Sequence, residues 1–252
     1  MKISIITITY NSAKTVKRAL ASVQGQTYAD IEHIIVDGAS NDGTADLIKA
    51  YAEQHARSAA VTVKWVCEKD DGIYNALNKG IRMATGDVIG FLHSDDVLFA
   101  PDSIEHIAAA FASTDADVVY GDLQYSRGNR VVRHWESNAF KPRSLKYGWM
   151  PPHPTMYVRR KVYEQVGEYD EWFRISADYD MVLRIFSAGY KTHYIPEVIV
   201  SMEIGGASNK NTKARLSKTQ EDYIALKKNH VGAGYFTVAF KQLRKVRQFL
   251  RG

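Results

Sequence analysis

Cysteine is almost absent from this chain. A single one, Cys67, among 252 residues permits neither an internal disulfide nor a cysteine-based zinc site, and fits a reducing compartment. No apolar run approaches the roughly 18–20 residues that cross a bilayer. The N-terminus, Met1-Lys2-Ile3-Ser4-Ile5-Ile6-Thr7, runs straight into a strand-like segment, whereas a secretory leader needs a longer apolar core and a small-residue cleavage site. A cytoplasmic protein is expected. Three of the six prolines sit together in Pro151-Pro152-His153-Pro154, which reads as a loop, and no Pro/Gly-rich stretch marks a linker. Neither G-x-G-x-x-G nor G-x-x-x-x-G-K-[ST] occurs, which disfavours a dinucleotide or P-loop site. Internal repeats and low-complexity tracts are missing as well. What remains, 45% hydrophobic and 24% charged residues, is the composition of a folded globular protein and excludes disorder and collagen.

Acid is scarce in one place. Residues 207–252 carry eleven Lys/Arg against Glu221 and Asp222, so the formal net charge of +5 divides into a body (1–206) of −4 and a C-terminal region of +9. Two roles are expected from two such parts.

The first hundred residues alternate strand and helix signals: strands at 3–9, 31–36, 61–66 and 88–92, and helices at 13–24, 44–55 and 74–83. Short connections between them predict a parallel sheet covered by helices, with ligands gathering at the C-terminal strand ends. Polar loops follow three of those ends: Tyr10-Asn11, Asp37 to Gly43, and His93-Ser94-Asp95-Asp96. Beyond residue 101 the spacing predicts a helix at 102–112, a hairpin of 117–125 with 130–135, a loop at 147–155, short elements at 155–158 and 161–166, a helix at 178–188 and a strand at 190–200. One domain with a helical C-terminal region follows.

Four groups of residues could carry chemistry. Asp95 and Asp96 leave a buried strand side by side. Unpaired, they would repel and one pKa would rise, a conflict that Mg²⁺ or Mn²⁺ removes; an acidic turn with a capping Asp is the plainer account. Asp37 ends its strand where a carboxylate can accept hydrogen bonds from a base or ribose, while Asp42 and Thr44 suit helix capping. In Glu68 to Gly80, acids open a helix that carries Asn78 and Lys79 two turns in. In Ser176-Ala177-Asp178-Tyr179-Asp180, one acid can face a site while the other pairs with Arg184.

In this order and at these spacings, Thr7-Ile8-Thr9-Tyr10-Asn11, Val36 to Thr44, Glu68 to Gly80, Ala84-Thr85-Gly86-Asp87, His93 to Asp96 and Ala177-Asp178-Tyr179-Asp180 resemble glycosyltransferase family 2, inverting enzymes of the GT-A fold. The resemblance covers about residues 1–200, and within the family it is to bacterial enzymes of surface-polysaccharide assembly. It implies an α/β fold with a single Rossmann-like, mostly parallel sheet flanked by helices. Residues 1–206 would form the GT-A domain, 1–100 as the nucleotide-sugar half and 101–206 as the acceptor half, followed by the basic, amphipathic helical region 207–252. Thr9, Tyr10 and Asp37 would hold the uracil and ribose of a UDP-sugar, with Asp71 and Lys79 in the same pocket and Asp95 near the ribose. Asp96 would bind the Mn²⁺ or Mg²⁺ that bridges the diphosphate. Asp178 would be the general base, and His153 would lie near the diphosphate or acceptor. Three positions depart from the family pattern: Ile8 replaces a proline, His93 replaces the first Asp of Asp-x-Asp-Asp, and Ala177 replaces the Glu of a Glu-Asp pair.

The implied activity is metal-dependent transfer of a hexose or N-acetylhexosamine to a saccharide acceptor, polyprenyl-diphosphate-linked, at the inner face of the plasma membrane. A catalytically silent nucleotide-sugar-binding scaffold and a sugar nucleotidyltransferase are the alternatives. The nucleotidyltransferase needs a Gly-rich, basic N-terminal loop that 3–11 does not offer. At 100° per residue, Tyr235, Phe236, Ala239, Phe240, Leu243, Val246 and Leu250 share one helix face, with Lys241, Arg244, Lys245 and Arg251 opposite. Such a helix suits an anionic membrane surface, or its stripe packs on the body or in a homodimer. No nucleic-acid motif accompanies its charge. The Gly205-Gly206-Ala207-Ser208 segment is expected to close over the donor, with Lys210 or Lys213 reaching phosphate.

Overall fold

The computed structural model describes residues 1–56, 60–128, 130–203 and 212–248. The expected closing segment at 205–208, with Lys210, lies outside the described residues, as do the side chains of Lys213, Lys245, Val246, Leu250 and Arg251. Nine strands form one sheet: β1 (Ile3–Thr9), β2 (Ile31–Asp37), β3 (Val61–Cys67), β4 (Val88–Phe91), β5 (Asp96–Leu98), β6 (Val118–Arg127), β7 (Arg130–Trp135), β8 (Tyr157–Arg159) and β9 (Thr192–Glu203). Their order is β3-β2-β1-β4-β8-β6-β9-β5, with β7 paired to β6. The first four strands are parallel, as alternation with helices α1 (Val16–Gln24), α2 (Thr44–His55) and α3 (Ile73–Met83) predicts. The second half is mixed. Strand β8 runs antiparallel to β4 and β6, β5 runs antiparallel to β9, and only β6 and β9 are parallel there. The three-residue β5 is too short for a sequence pattern, because pairing with β9 alone defines it.

Every residue of β1 and β2 is buried, as in a central strand covered on both faces, and their β-branched composition suits that place. Helix α1 buries Val16, Ala19, Leu20 and Val23 at helical spacing. Gly80 lets α3 approach β1, since a Cβ there would lie 2.4 Å from Ile6 Cγ2. Helix α4 (Ser103–Ser113) precedes the β6–β7 hairpin, whose strands pair as expected. A 3₁₀ turn at Pro142–Tyr147 leads into the Pro-rich loop, a second at His153–Thr155 lies within it, and α5 (Arg160–Val166) and α6 (Ala177–Ser187) follow. Because β1 is flanked by β2 on one side and β4 on the other, the crevice at the C-terminal ends of these strands is the topological switch point of the parallel half.

The C-terminal region folds onto the body. Helices α7 (Thr212–Lys228) and α8 (Tyr235–Gln248) contribute Ala225, Leu226 and Val238 to the core that includes Tyr179 and Trp149. The face assignment for α8 needs correction at Lys241. Expected on the solvent side, it is 4% exposed, and its ammonium lies 2.9 Å from Asp222 and 3.2 Å from the centre of the Tyr179 ring. Tyr235, Phe236, Phe240 and Leu243 are instead exposed. The reason is that α8 docks through the small Thr237 and Val238 and the stem of Lys241, which leaves its bulkiest apolar side chains outside. Gly148 makes room for that docking, since a Cβ there would meet Lys241 Cβ at 2.5 Å.

Candidate active site

At the end of β2, Asp37 is fully buried and meets four donors. Its Oδ1 accepts from the Thr9 and Ser40 hydroxyls, each at 2.6 Å, and Oδ2 from the Ser40 N–H at 2.9 Å and the Cys67 thiol at 3.0 Å. Burial would raise its pKa, but the hydrogen bonds from Ser40, Thr9 and Cys67 outweigh burial and hold it below the ordinary carboxylate value. A carboxylate has about four lone-pair positions, so all are in use. A nucleoside donor reaches Asp37 only by displacing the weakest partner, the Cys67 thiol. The β1 loop is tied to the same place: the Asn11 N–H donates to Ser40 Oγ at 2.8 Å, and Asn11 Oδ1 accepts from the Asn41 N–H at 3.0 Å. Tyr10, 67% exposed, stands over this rim as a free aromatic face.

Lys79 reaches the same edge from α3, where its ammonium contacts Asp70 Oδ1 at 2.6 Å and Glu68 Oε1 at 2.8 Å. Asp70, not Asp71, is the acid turned inward. Its Oδ2 would lie 3.1 Å from a Cβ on Gly38, whose next neighbours are the Tyr10 ring and the Thr9 carbonyl oxygen. Asp71 is exposed, with its N–H 3.5 Å from Asn75 Oδ1. The sequence signal for Asp70 over Asp71 was only the one-residue phase of the turn before α3.

After β4, Ser94 Oγ is 2.9 Å from Ser12 Oγ, which joins the acidic turn to the β1 loop. Asp95 is half-buried, whereas Asp96 begins β5 at 0% exposure with both carboxylate oxygens lacking a hydrogen-bond partner among the described residues. Burial, then the charge of Asp95, pushes the Asp96 pKa well above the carboxylate range. Orphaned oxygens of this kind are satisfied by a proton or a cation, and an oxygen-preferring ion fits the donor chemistry of the turn. Of the two acids, Asp95 is the more exposed. Among the described residues no three His, Cys, Asp or Glu side chains form a closed metal cage. A cation here would draw most of its ligands from a diphosphate and water, as Mg²⁺ and Mn²⁺ do.

The first turn of α6 brings Asp178 within electrostatic reach of His153 and His93. Burial would raise its pKa, but Lys218, Lys241 and His153 together with the Tyr179 N–H, 2.7 Å from Oδ1, hold it below the ordinary value. His153 stacks on Phe91 at 5.0 Å and on His93 at 6.0 Å, and its Nε2 is hydrogen-bonded to the Tyr169 hydroxyl. Burial first, then His93, lowers the His153 pKa to about 4, so it is neutral at pH 7. Asp180 is different. It is fully buried and engaged by Arg184 Nε at 2.9 Å, Asn229 Nδ2 at 2.9 Å and Lys228 Nζ at 3.1 Å, which makes it the structural partner of this pair of acids. Tyr169, Lys218 and Lys241 carry no sequence signal for this site, since each arrives from a distant element.

The structure is thus of the GT-A class: helices flank a curled sheet whose parallel strands end in a polar and acidic crevice. Similarity to known proteins supplies the family. Residues 4–176 match the family described as Glycosyl transferase family 2. A PGL/p-HBAD biosynthesis glycosyltransferase of Mycobacterium tuberculosis is 32% identical over 209 residues, covering 82% of this chain and 78% of that one. An uncharacterized glycosyltransferase of Nostoc sp. is 33% identical over 233 residues, covering 88% and 70%. Among solved structures, Staphylococcus aureus TarS 1–349 in complex with UDP-GlcNAc has a TM-score of 0.69 at 16% identity over 91% of this chain and 65% of that one. The mannosyltransferase PcManGT of Pyrobaculum calidifontis, in complex with GDP-Man and Mn²⁺, has a TM-score of 0.68 at 20% identity over 99% and 72%. Against longer TarS the chain spans 43% of that protein. At such identities the solved structures speak for the fold. The chain belongs to glycosyltransferase family 2.

Proposed function

We propose that this glycosyltransferase is an inverting, metal-dependent hexosyltransferase that takes a hexose or N-acetylhexosamine from a UDP-sugar. Its acceptor is a lipid-linked saccharide of surface-polysaccharide assembly. The observation that carries the reading is the unlike fate of two neighbouring acids: Asp180 is consumed by Arg184, Asn229 and Lys228, while Asp178 is kept ionised beside His153. A carboxylate in that state accepts the proton of an acceptor hydroxyl as its oxygen attacks the anomeric carbon. The new C–O bond forms opposite the breaking bond to the diphosphate, so the configuration inverts.

On the donor side, Thr9, Tyr10 and Asp37 hold the nucleoside, with Asp70, Asp71 and Lys79 on the same rim and Asp95 near the ribose. Mn²⁺ or Mg²⁺ at the Asp95–Asp96 turn would offset the charge of the departing diphosphate. Neutral His153 lies toward the diphosphate or acceptor. TarS in complex with UDP-GlcNAc supports a uridine donor, and the GDP-Man and Mn²⁺ in PcManGT make guanosine donors the control. No helix among the described residues is long and apolar enough to cross a membrane. The exposed Phe236, Phe240 and Leu243 on basic α8 support contact with an anionic membrane surface instead.

The test is nucleotide release from a panel of UDP- and GDP-sugars, with Mn²⁺, Mg²⁺ or EDTA. UDP release that needs the metal and drops 10²-fold or more in Asp178→Asn, with UDP affinity near wild type, is expected. Full turnover in Asp178→Asn refutes the base assignment, and binding without release in the wild type refutes the activity.

A further inference from the structure

The segment that leads into α6 is tied to the C-terminal helices. On α7, the Glu221 carboxylate accepts three successive backbone N–H groups from the segment entering α6: Arg174 at 3.2 Å, Ile175 at 2.8 Å and Ser176 at 2.9 Å. These donors belong to the three residues that lead into α6, the last of them its N-cap Ser176, and Asp178 lies two residues further on. One residue along α7, Asp222 holds Lys241 of α8 in a pair whose side chains are 6% and 5% exposed. The Lys241 ammonium sits on the Tyr179 ring, next to Asp178 in sequence. A lysine in so dry a place has a functional or structural reason to be there. Its pKa is lowered to about 8, by burial first, and the acids Asp222 and Asp178 are what keep it charged.

We propose, on the reading that Asp178 is the general base, that Glu221 and Lys241 are positioning residues for sugar transfer: Glu221 fixes the backbone turn that presents the base, and Lys241 sets a buried positive charge beside it. The basic region is then part of the catalytic apparatus and not only an appendage. Both residues act through Asp178. Among the described residues, the ionisable groups that face Asp178 include Lys218 from α7, Lys241 from α8, His153 and His93 from the crevice loops, Tyr74 from α3 and Tyr169 from the loop after α5. Lys218 and Lys241 are the lasting positive charges among them, because burial disfavours the charged form of both histidines.

The experiment uses the full chain and follows UDP release against pH and donor concentration. Glu221→Ala is expected to lower kcat at least 10-fold while KM for the UDP-sugar stays within about twofold, and Glu221→Gln, which keeps an acceptor oxygen, to recover part of the loss. Combining Glu221→Ala with Asp178→Asn should cost no more than Asp178→Asn alone. For Lys241, the paired replacement Lys241→Met/Asp222→Leu removes the cation without leaving its partner's charge buried. It should move the acid limb of the kcat profile to higher pH, because the ionised base loses a stabilising charge. Unchanged kcat in folded Glu221→Ala, or an unmoved acid limb in the paired variant, overturns the proposal. If Asp178→Asn itself keeps full kcat, the base reading fails, and that result is distinct because it appears before Glu221 or Lys241 is altered.

Discussion

Asp37→Asn separates the duty that the structure shows for Asp37, tying two loops together, from the one proposed for it, receiving a nucleoside. In the wild type Oδ1 takes the Thr9 and Ser40 hydroxyls, while Oδ2 takes the Ser40 N–H and the Cys67 thiol. The amide oxygen must occupy the Oδ2 position, since a backbone N–H cannot turn round. Its NH₂ then faces two hydroxyls, which can rotate to accept. Every group keeps a partner, so the cost is the loss of charge assistance, about 1 kcal/mol for each strong bond, offset in part because no charge is buried any longer. A net loss of about 1–2 kcal/mol follows, or a Tm lower by roughly 2–8 °C for a chain of this size. UDP affinity should fall further, about 10–100-fold, since a charged acceptor is replaced at the nucleoside contact. Differential scanning calorimetry and titration calorimetry with UDP measure the two separately. A lowered Tm with unchanged UDP affinity would make Asp37 a tether alone, and no change in either would refute the hydrogen-bond geometry on which the reasoning stands.

Two further outcomes are expected. His33, fully buried between Thr7 and Tyr51, has its pKa lowered to about 3, by burial first. Between that value and the unfolded value near 6.5 only the unfolded chain binds the proton, so the His33 contribution to stability is full above about pH 6.5 and falls by about 2 kcal/mol by pH 5. Urea unfolding at the two pH values measures this, and an identical slope in His33→Gln would show that His33 is not the group responsible. Vesicles containing anionic lipid should sediment the protein in a salt-sensitive way. Phe236→Ser/Phe240→Ser/Leu243→Ser should abolish this, whereas equal binding to neutral vesicles would rule out the charge contribution.

Much of the fold was legible because its signals are local. The all-buried strands β1 and β2 are written as β-branched runs, and α2 begins and ends where Thr44 and His55 suggest. Strand β5 and the antiparallel insertion of β8 were not legible, because three residues carry no period and their pairing depends on distant chain. In the site, Asp37 and the Asp95–Asp96 turn stand at strand ends that the alternation alone locates. The choice between Asp70 and Asp71 could not be read that way, since a one-residue phase in a turn is set by packing against Gly38 and Lys79.

The sequence by itself determined the order of strands and helices in the parallel half, the acids that follow them, and the division of charge into a −4 body and a +9 end. Those properties depend on neighbours within a few residues, or on simple counting. Only the tertiary structure decided that Asp180, already within i,i+4 reach of Arg184, is also taken by Lys228 and Asn229, while Asp178 stays beside His153. It alone decided that Lys241, apparently one more surface charge, lies buried against Asp222 and Tyr179. The physical reason is common to both: burial and charge pairing are set by side chains from distant elements, and their energies are large only where water has been excluded.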